Sequence, residues 1–446
     1  MIECINDMGM YLVIIFILYL FVLLFTYWLK YLNLSHLKRF GSAIPPEFEG
    51  QIDQTLLNKV SAYTVENIRF GFTSSIFNNA ILLIFLFGGL LNAYNSWIIA
   101  LNLPFIPSGL IFFMLLIYAD TILEIPFSLY HTFVIEKKYG FSTMTIKLWI
   151  TDFAKSMFIS TLFSVLIISI GLWLVQQSPD LWWFWVWCFF FAYSIFIIYI
   201  SPYVIEPLFN KFTPIDNKAL EDGINNLMQK VGIKASRIFK MDASKRTKHT
   251  NAYFTGIGRV KRIVLYDTLV DKMNSDEALS VLAHEIGHWK KKHILKYMIV
   301  TEIIALIASY IAFKMLQGEL LINLFNIKEG SFFAKAILLG FLGSIAAFPF
   351  TPLFNYFSRK YEIEADRFAC ELTEKKEGMI NALVKLSKDN LSNLRPHPLY
   401  AAFYYSHPPV LKRIRLINFY PNQHSLTYIE GAPRMFLLPH RLQYIL

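Results

Sequence analysis

"VLAHEIGHWKKKHILKYMIVTEIIALIASYIAFKML", residues 281–316, joins two kinds of sequence in one run. Its first third carries His284 and His288, four residues apart, with Glu285 directly after the first histidine. From residue 294 it turns into an apolar stretch long enough to span a membrane, since about 20 helical residues cross the hydrocarbon core. Metal-type residues set directly against a span predict a membrane protein whose chemistry lies at the membrane face.

The rest of the chain agrees. With 446 residues, 55% hydrophobic and 17% aromatic, and a mean hydropathy of +0.43, it is far more apolar than a soluble protein of this length. Seven stretches have the length of a span, near 11–31, 74–94, 98–119, 157–176, 182–203, 294–316 and 332–354. The first is preceded by Glu3 and Asp7, by no Lys or Arg, and no small-x-small cleavage site follows, so it is expected to be a retained span and not a signal peptide. Three cysteines, Cys4, Cys188 and Cys370, are too far apart in sequence for a C-x-x-C metal pattern, which leaves histidine and carboxylate as metal-binding types.

Lys and Arg alternate between connecting segments. Residues 1–10, 95–97 and "QQSPD" (176–180) have none, whereas Lys38, Arg39, Lys59 and Arg69, then Lys137, Lys138 and Lys147, then many in 206–293 and after 357 mark the other side. By the positive-inside rule the N-terminus is outside, and 32–73, 120–156, 206–293 and 357–446 are cytoplasmic. The net charge of +10 is therefore mostly topological, and no nucleic-acid partner is expected. The expected organisation is 1–205, five spans with their loops; 206–293, a cytoplasmic segment; 294–356, two spans; and 357–446, a cytoplasmic C-terminal segment.

Composition shifts most sharply near Pro207. "NKALEDGINNLMQKVGI" (217–233) has helical periodicity, and "RIFKMDA", "NAYFTG" and "RIVLYDT" are short β-rich runs. Gly256 and Gly258 in "TGIGRV" lack the third glycine of a nucleotide loop and suit a hairpin turn. A helix is expected over 275–292 with Ser275 as N-cap. On it His284 and His288 point the same way and can share one cation, with Glu285 beside them. This is the geometry of a zinc peptidase, in which the unligated carboxylate takes a proton from the attacking water.

H-E-x-x-H alone arises by chance in on the order of one chain in a hundred of this length, so a third ligand must support it. "SRKYEIEADRFACELTEKK" (358–376) offers one on a further helix, where Glu362 and Asp366 share a face and Glu364 lies about 200° round from Glu362. Glu362 is the expected ligand. Asp366 suits the place behind a ligating histidine, fixing its tautomer; the bland alternative is an acidic helix start stabilised by the dipole.

Together "HEIGHWKKKH", "EIEAD", "KRTKHTNAYFTG", "RIVLYDTL" and "YYSHPPVLKR" resemble the type I CAAX prenyl endopeptidases, membrane zinc proteases of the gluzincin class. The resemblance covers nearly the whole chain. It implies a mostly α, polytopic membrane fold in which seven transmembrane helices form a barrel around a large chamber, with a small α+β cytoplasmic zinc-peptidase part. It implies one Zn2+ per chain on His284, His288 and Glu362, Glu285 as general base, and Asp366 as the aspartate usually assigned as proton donor. It implies also that His407 stabilises the tetrahedral intermediate, with Arg413 nearby, and that Asn251 opens a substrate-binding strand.

"NAYF" would offer a free strand edge to an extended peptide, and a donor such as His407 or Arg413 would steady a developing oxyanion. The partners expected are a peptide or protein substrate, prenylated or not, and the lipid bilayer; nothing specifies the oligomeric state. "IPPEFEGQID" (44–53) and "AYTVENIRFGF" (62–72) resemble bacterial members more closely, and the segment after the H-P-P motif, with no dibasic retrieval signal, is longer than expected of eukaryotic members. A bacterial inner membrane is accordingly expected, or the endoplasmic reticulum in a eukaryote. Asp120, Glu124, Asp152, Lys155 and Glu302, in or beside spans, are expected to face the chamber or pair with each other. The competing readings are a membrane quality-control protease, and a transporter or receptor with a closed structural metal site.

Overall fold

The computed structural model describes residues 2–232, 237–255 and 262–420. The turn expected at Gly256 and Gly258 and the tail from 421 onward lie outside them. Seven helices are long and apolar enough to cross a membrane: Gly9–Phe40, Gln54–Phe87, Phe105–Lys138, Ile146–Gln177, Trp182–Phe209, His293–Gln317 and Phe332–Thr373. At 1.5 Å per residue even the shortest exceeds a hydrocarbon core of about 30 Å, so the spans project beyond it.

Each span packs against the next in sequence order and the seventh returns to the first, which closes a ring. No more than 11% of any span's most apolar window is buried. Helices buried so little on either side face lipid outward and a chamber inward. One end of the ring is sealed by a packed cluster in which Leu91, Ile98, Leu321, Ile322 and Phe325 meet Tyr19, Phe112, Phe333 and Phe341.

That seal corrects the second and third span boundaries. The second span starts at Gln54, capped by Asp53, whose side chain accepts from Leu56 N, and it ends at Phe87. Gly88 follows, then Gly89 at φ +83°, a conformation that favours glycine, and a separate helix runs over Leu90–Ala100. The third span starts only after Pro104. The outer loop expected at 95–97 is therefore the middle of a helix. Asn95 is fully buried there, donating to Glu329 O at 2.6 Å and accepting from Ser331 Oγ at 2.5 Å.

The other end carries the polar part. A four-stranded sheet, ordered β1-β2-β4-β3, comprises β1 (Phe212–Pro214), β2 (Arg237–Met241), β3 (Ala252–Thr255) and β4 (Arg262–Tyr266). β2 and β4 are parallel, the other pairs antiparallel, and β3 lies at an edge. Helices α1 (Lys218–Lys230) and α2 (Ser275–Lys290) bury Leu220, Ile224, Leu282 and Ile286 in one core with Ile263 and Leu265 of the sheet. α3 (Thr351–Thr373) continues the seventh span, and α4 (Lys376–Asp389), α5 (Pro398–Tyr404) and α6 (Val410–Phe419) complete this part.

The N-cap of α2 is Asn274, one residue before the expected Ser275. Asn274 accepts from Glu277 N and Glu277 returns a bond to Asn274 N, a reciprocal capping box that outcompetes a serine lacking the glutamate three residues on. The run quoted above is two helices, because Lys292 takes φ +57° and the sixth span starts afresh at His293.

Candidate metal centre

α2 and α3 cross at Gly287. A Cβ there would lie 3.2 Å from Ala365 Cα and 3.1 Å from the Phe368 ring, tighter than an ordinary contact, so glycine lets the helix backbones approach. The crossing sets His284 and His288, one turn apart on α2, against Glu362 of α3.

The three side chains converge. His284 Nε2 and His288 Nε2 are 3.1 Å apart, Glu362 Oε2 is 3.3 Å from the first, and Glu362 Oε1 is 3.1 Å from the second. Donors about 2.0–2.1 Å from a tetrahedral zinc ion are separated by about 3.3 Å, so these spacings suit ligands of one ion. Two further facts fit a cation. The facing Nε2 atoms cannot both carry a proton on their common line, and Glu362 Oε2 is buried without a hydrogen-bond partner among the described residues.

Each histidine is backed from behind. Asp366 Oδ1 lies 2.8 Å from His284 Nδ1, and Arg413 clamps the same carboxylate, Nε to Oδ2 at 2.7 Å and Nη2 to Oδ1 at 2.5 Å. Arg413 Nη1 is 3.8 Å from Glu362 Oε2. On the other flank His288 Nδ1 lies 3.1 Å from His293 Nδ1, and His293 Nε2 lies 3.2 Å from Glu364 Oε2. His293 is 2% exposed and stacks on Tyr361 at 4.3 Å. The sequence reading gave Glu364 and His293 no part here. Glu364 does lie on another face of its helix, but that face meets His293 at the start of the sixth span.

A cavity of about 560 Å3 opens on the cluster, lined by His284, Glu285, Glu362, His407, Arg413 and Asn251 among others. Glu285 is half-buried, and burial pushes its carboxyl pKa upward against the lowering pull of the two histidines. His407 Nε2 reaches to 3.4 Å from Glu362 Oε1, and Ser406 Oγ lies 3.0 Å from His407 Nδ1. Asn251 is exposed at the entry to β3, with its Oδ1 accepting from Ala252 N at 2.8 Å. Six of the eight residues singled out from the sequence line this cavity, and the other two adjoin it, His288 through Glu362 and Asp366 through His284. Its far wall, Met379, Ala382, Leu383 and Leu386 of α4, carries no motif that a sequence could flag.

Of the charged groups in and beside the spans, Asp152 pairs bidentately with Arg246 at 2.8 and 3.0 Å, Lys155 donates to Leu208 O, and Glu124 accepts from Asn78 at 2.7 Å. Asp120 is exposed and Glu302 half-buried.

Comparison with known proteins agrees at both ends. Residues 33–211 match the family model described as CAAX prenyl protease N-terminal, five membrane helices, and residues 214–419 match peptidase family M48. CAAX prenyl protease 1 of Saccharomyces cerevisiae is 32% identical over 418 residues, covering 87% of this chain and 90% of that protein. An uncharacterised metalloprotease of Bacillus subtilis is 33% identical over 279 residues, 62% of this chain and 66% of its own. The crystal structure of S. mikatae Ste24p superposes with a TM-score of 0.85 at 30% identity, covering 92% of this chain and 99% of that one.

Proposed function

Because the chain belongs to peptidase family M48, joined to the five-helix N-terminal region of the CAAX prenyl proteases, we propose that it is a membrane zinc endopeptidase cutting near the C-terminus of CAAX-type proteins, prenylated or not. That it is an integral, multi-pass metallopeptidase follows from the family and the seven spans. The observation that carries the finer reading is the convergence of His284, His288 and Glu362 on the wall of an open cavity. A structural metal site would be closed by a fourth protein ligand, and among the described residues no fourth His, Cys, Asp or Glu joins the group, His407 nearing Glu362 alone.

In this reading the three side chains hold one zinc, which when bound polarises the scissile carbonyl and the attacking water. Glu285 takes the proton from that water and delivers it to the leaving amine; its upward-shifted pKa suits a group that must also give the proton back. Asp366, 2.8 Å from His284 Nδ1, is placed to fix that nitrogen as the protonated one, so that the Nε2 lone pair faces the ion, and Arg413 keeps Asp366 ionised and in place. Ser406 Oγ, 3.0 Å from His407 Nδ1, is placed to donate to it, the tautomer that keeps the proton on Nε2 to bond the oxyanion as it forms. The free edge of β3, entered at Asn251, takes the substrate backbone as an added strand.

The Lys and Arg asymmetry places this centre on the cytoplasmic side. The membrane is a bacterial inner membrane by the character of residues 44–53 and 62–72, with the endoplasmic reticulum as its eukaryotic counterpart. A chamber joined to the site lets a lipid anchor remain in apolar surroundings while the peptide reaches the metal. The test compares cleavage of one peptide with and without a farnesyl group, with and without chelator. Chelator-sensitive cleavage confined to the lipidated peptide is expected. Equal cleavage of both favours a general membrane protease, and chelator-resistant cleavage overturns the metal mechanism.

A further inference from the structure

A second cavity, about 390 Å3, lies behind the catalytic one. Asn390, Ser392, Asn393 and Tyr405 face both, so the two share a wall. The far side is built from the first two spans and presents Lys30. This lysine lies eight residues before Lys38, about 12 Å back along the helix from the basic end of its span. Its contacts are one long hydrogen bond to Gly71 O at 3.4 Å and the rings of Tyr27 and Phe72, centred 5.9 and 5.5 Å away. No carboxylate among the described residues pairs with it. Of the other cations near the spans, Lys138 pairs with Glu66, Lys335 with Glu319 and Arg246 with Asp152, while Lys155 donates to the backbone carbonyl of Leu208. A half-buried ammonium at this depth without a counter-ion is costly, and such groups mark ligand paths.

Strand polarity indicates which anion can reach it. The outer edge of β3 is free, and an extended peptide adding to it in the better-bonded antiparallel sense runs from the Thr255 end toward Asn251. The part of the substrate beyond the scissile bond then leaves past Thr250. Thr250 is tied through both backbone groups to Asn390, its N–H donating to Oδ1 at 3.2 Å and its carbonyl accepting from Nδ2 at 3.4 Å. Asn390 is the start of the shared wall. The outgoing peptide is therefore aimed at the second cavity.

We propose that Lys30, in this second cavity, binds the free α-carboxylate at the substrate's C-terminus and so fixes how far from the chain end cleavage occurs. The inference rests on the function proposed above and adds a reason for a cut at a set distance from the C-terminus. A strand edge reads backbone without regard to position along the substrate, whereas an ammonium set a fixed distance from the metal measures to the end.

The test uses the full-length zinc-loaded protein in phosphatidylcholine nanodiscs and two farnesylated peptides identical except for a free C-terminal acid or an amide. The wild type should favour the acid by about tenfold or more in kcat/KM. Lys30→Met should bring the acid-to-amide ratio to about one, and Lys30→Arg should keep most of the preference. A merely structural lysine would lower both rates alike and leave the ratio intact, which overturns the proposal, as does a wild-type ratio near one. Repeating the assay with phosphatidylglycerol separates a lipid phosphate from the peptide carboxylate. Activation by that lipid, lost in Lys30→Met with no acid preference at any stage, assigns the ammonium to lipid and overturns the proposal. If the wild type cleaves neither peptide, the proposed function fails. Binding of the same peptides, fluorescently labelled, to the Glu285→Gln protein then decides the inference by the same ratio.

Discussion

The wall of the chamber and the polar part that closes it both carry apolar side chains but use them differently. In the wall, Phe158, Leu162 and Ile122 are 72, 58 and 63% exposed, because one face of each span meets lipid and the other an open interior. In the polar part, Leu282, Ile286, Ile263 and Leu265 are at most 2% exposed, locked between sheet and helices. The wall is held by internal backbone hydrogen bonds and by the bilayer, which has no preference for one close-packed arrangement. The polar part is held by packing in which side-chain shape matters. A chamber can therefore vary in its lining, whereas the metal centre, which needs three donors placed to within a few tenths of an ångström, is confined to the packed part.

The largest effect should come from breaking the centre itself. Glu362→Ala should strip the metal, taking the content from near one per chain to near zero and activity below detection, as metal analysis after dialysis would measure. Glu364→Ala should keep near one metal per chain while weakening affinity by about tenfold, since it acts on His288 only through His293. Metal loss in the second variant and not the first would mean that the packed part presents the wrong carboxylate. Next in size, Glu285→Gln should retain the metal and lose at least about a hundredfold in kcat. Near-normal turnover would remove Glu285 as base.

A third prediction tests the packing contrast directly. Ile286→Ala, in the core beneath the metal helix, should destabilise by about 2–5 kcal/mol. Phe158→Ala, on a span face, should change stability by less than about 0.5 kcal/mol. Thermal unfolding of both in the same detergent measures the contrast, and equal shifts would mean that the wall is packed like the core.

The two parts were not equally legible in the sequence. Each span was found, because its signal is a run of apolar residues summed over twenty positions. Its ends were less readable where a local feature decides them, as at Gly88 and Gly89, which cut the second span short and free Leu90–Ala100 to seal the chamber. The centre was legible because its geometry follows from helical spacing: His284 with His288, and Glu362 with Asp366, each lie on one face. His293 and Glu364 escaped for the opposite reason. Their meeting depends on the break at Lys292, which restarts the helix and turns His293 back toward His288. The wall of α4 escaped because its apolar residues resemble those of any amphipathic helix.

The smallest predicted effect lies where the two parts are lashed together. His249, just before β3, places Nε2 3.1 Å from Glu136 Oε2 at the end of the third span and Nδ1 2.9 Å from Asn390 Oδ1, with its ring 4.0 Å from that of Phe141. Tyr63 of the second span donates to the other oxygen of Glu136 at 2.6 Å, so one carboxylate joins two spans to the entry of the substrate strand. Burial works against protonating His249, but the bonds to Glu136 and Asn390 outweigh it and raise its pKa, while Lys272 pulls weakly the other way. A histidine whose folded pKa is raised contributes stability that is fully present below its unfolded value of about 6.5 and is lost as pH climbs through the folded value. Wild type should therefore exceed His249→Gln in Tm at pH 6, by less in this larger chain than the about 2–4 °C for each kcal/mol seen at 150–250 residues, and the gap should narrow by pH 9. A gap that stays constant or widens with pH would mean that the lash holds by shape alone, with no charge on the imidazole.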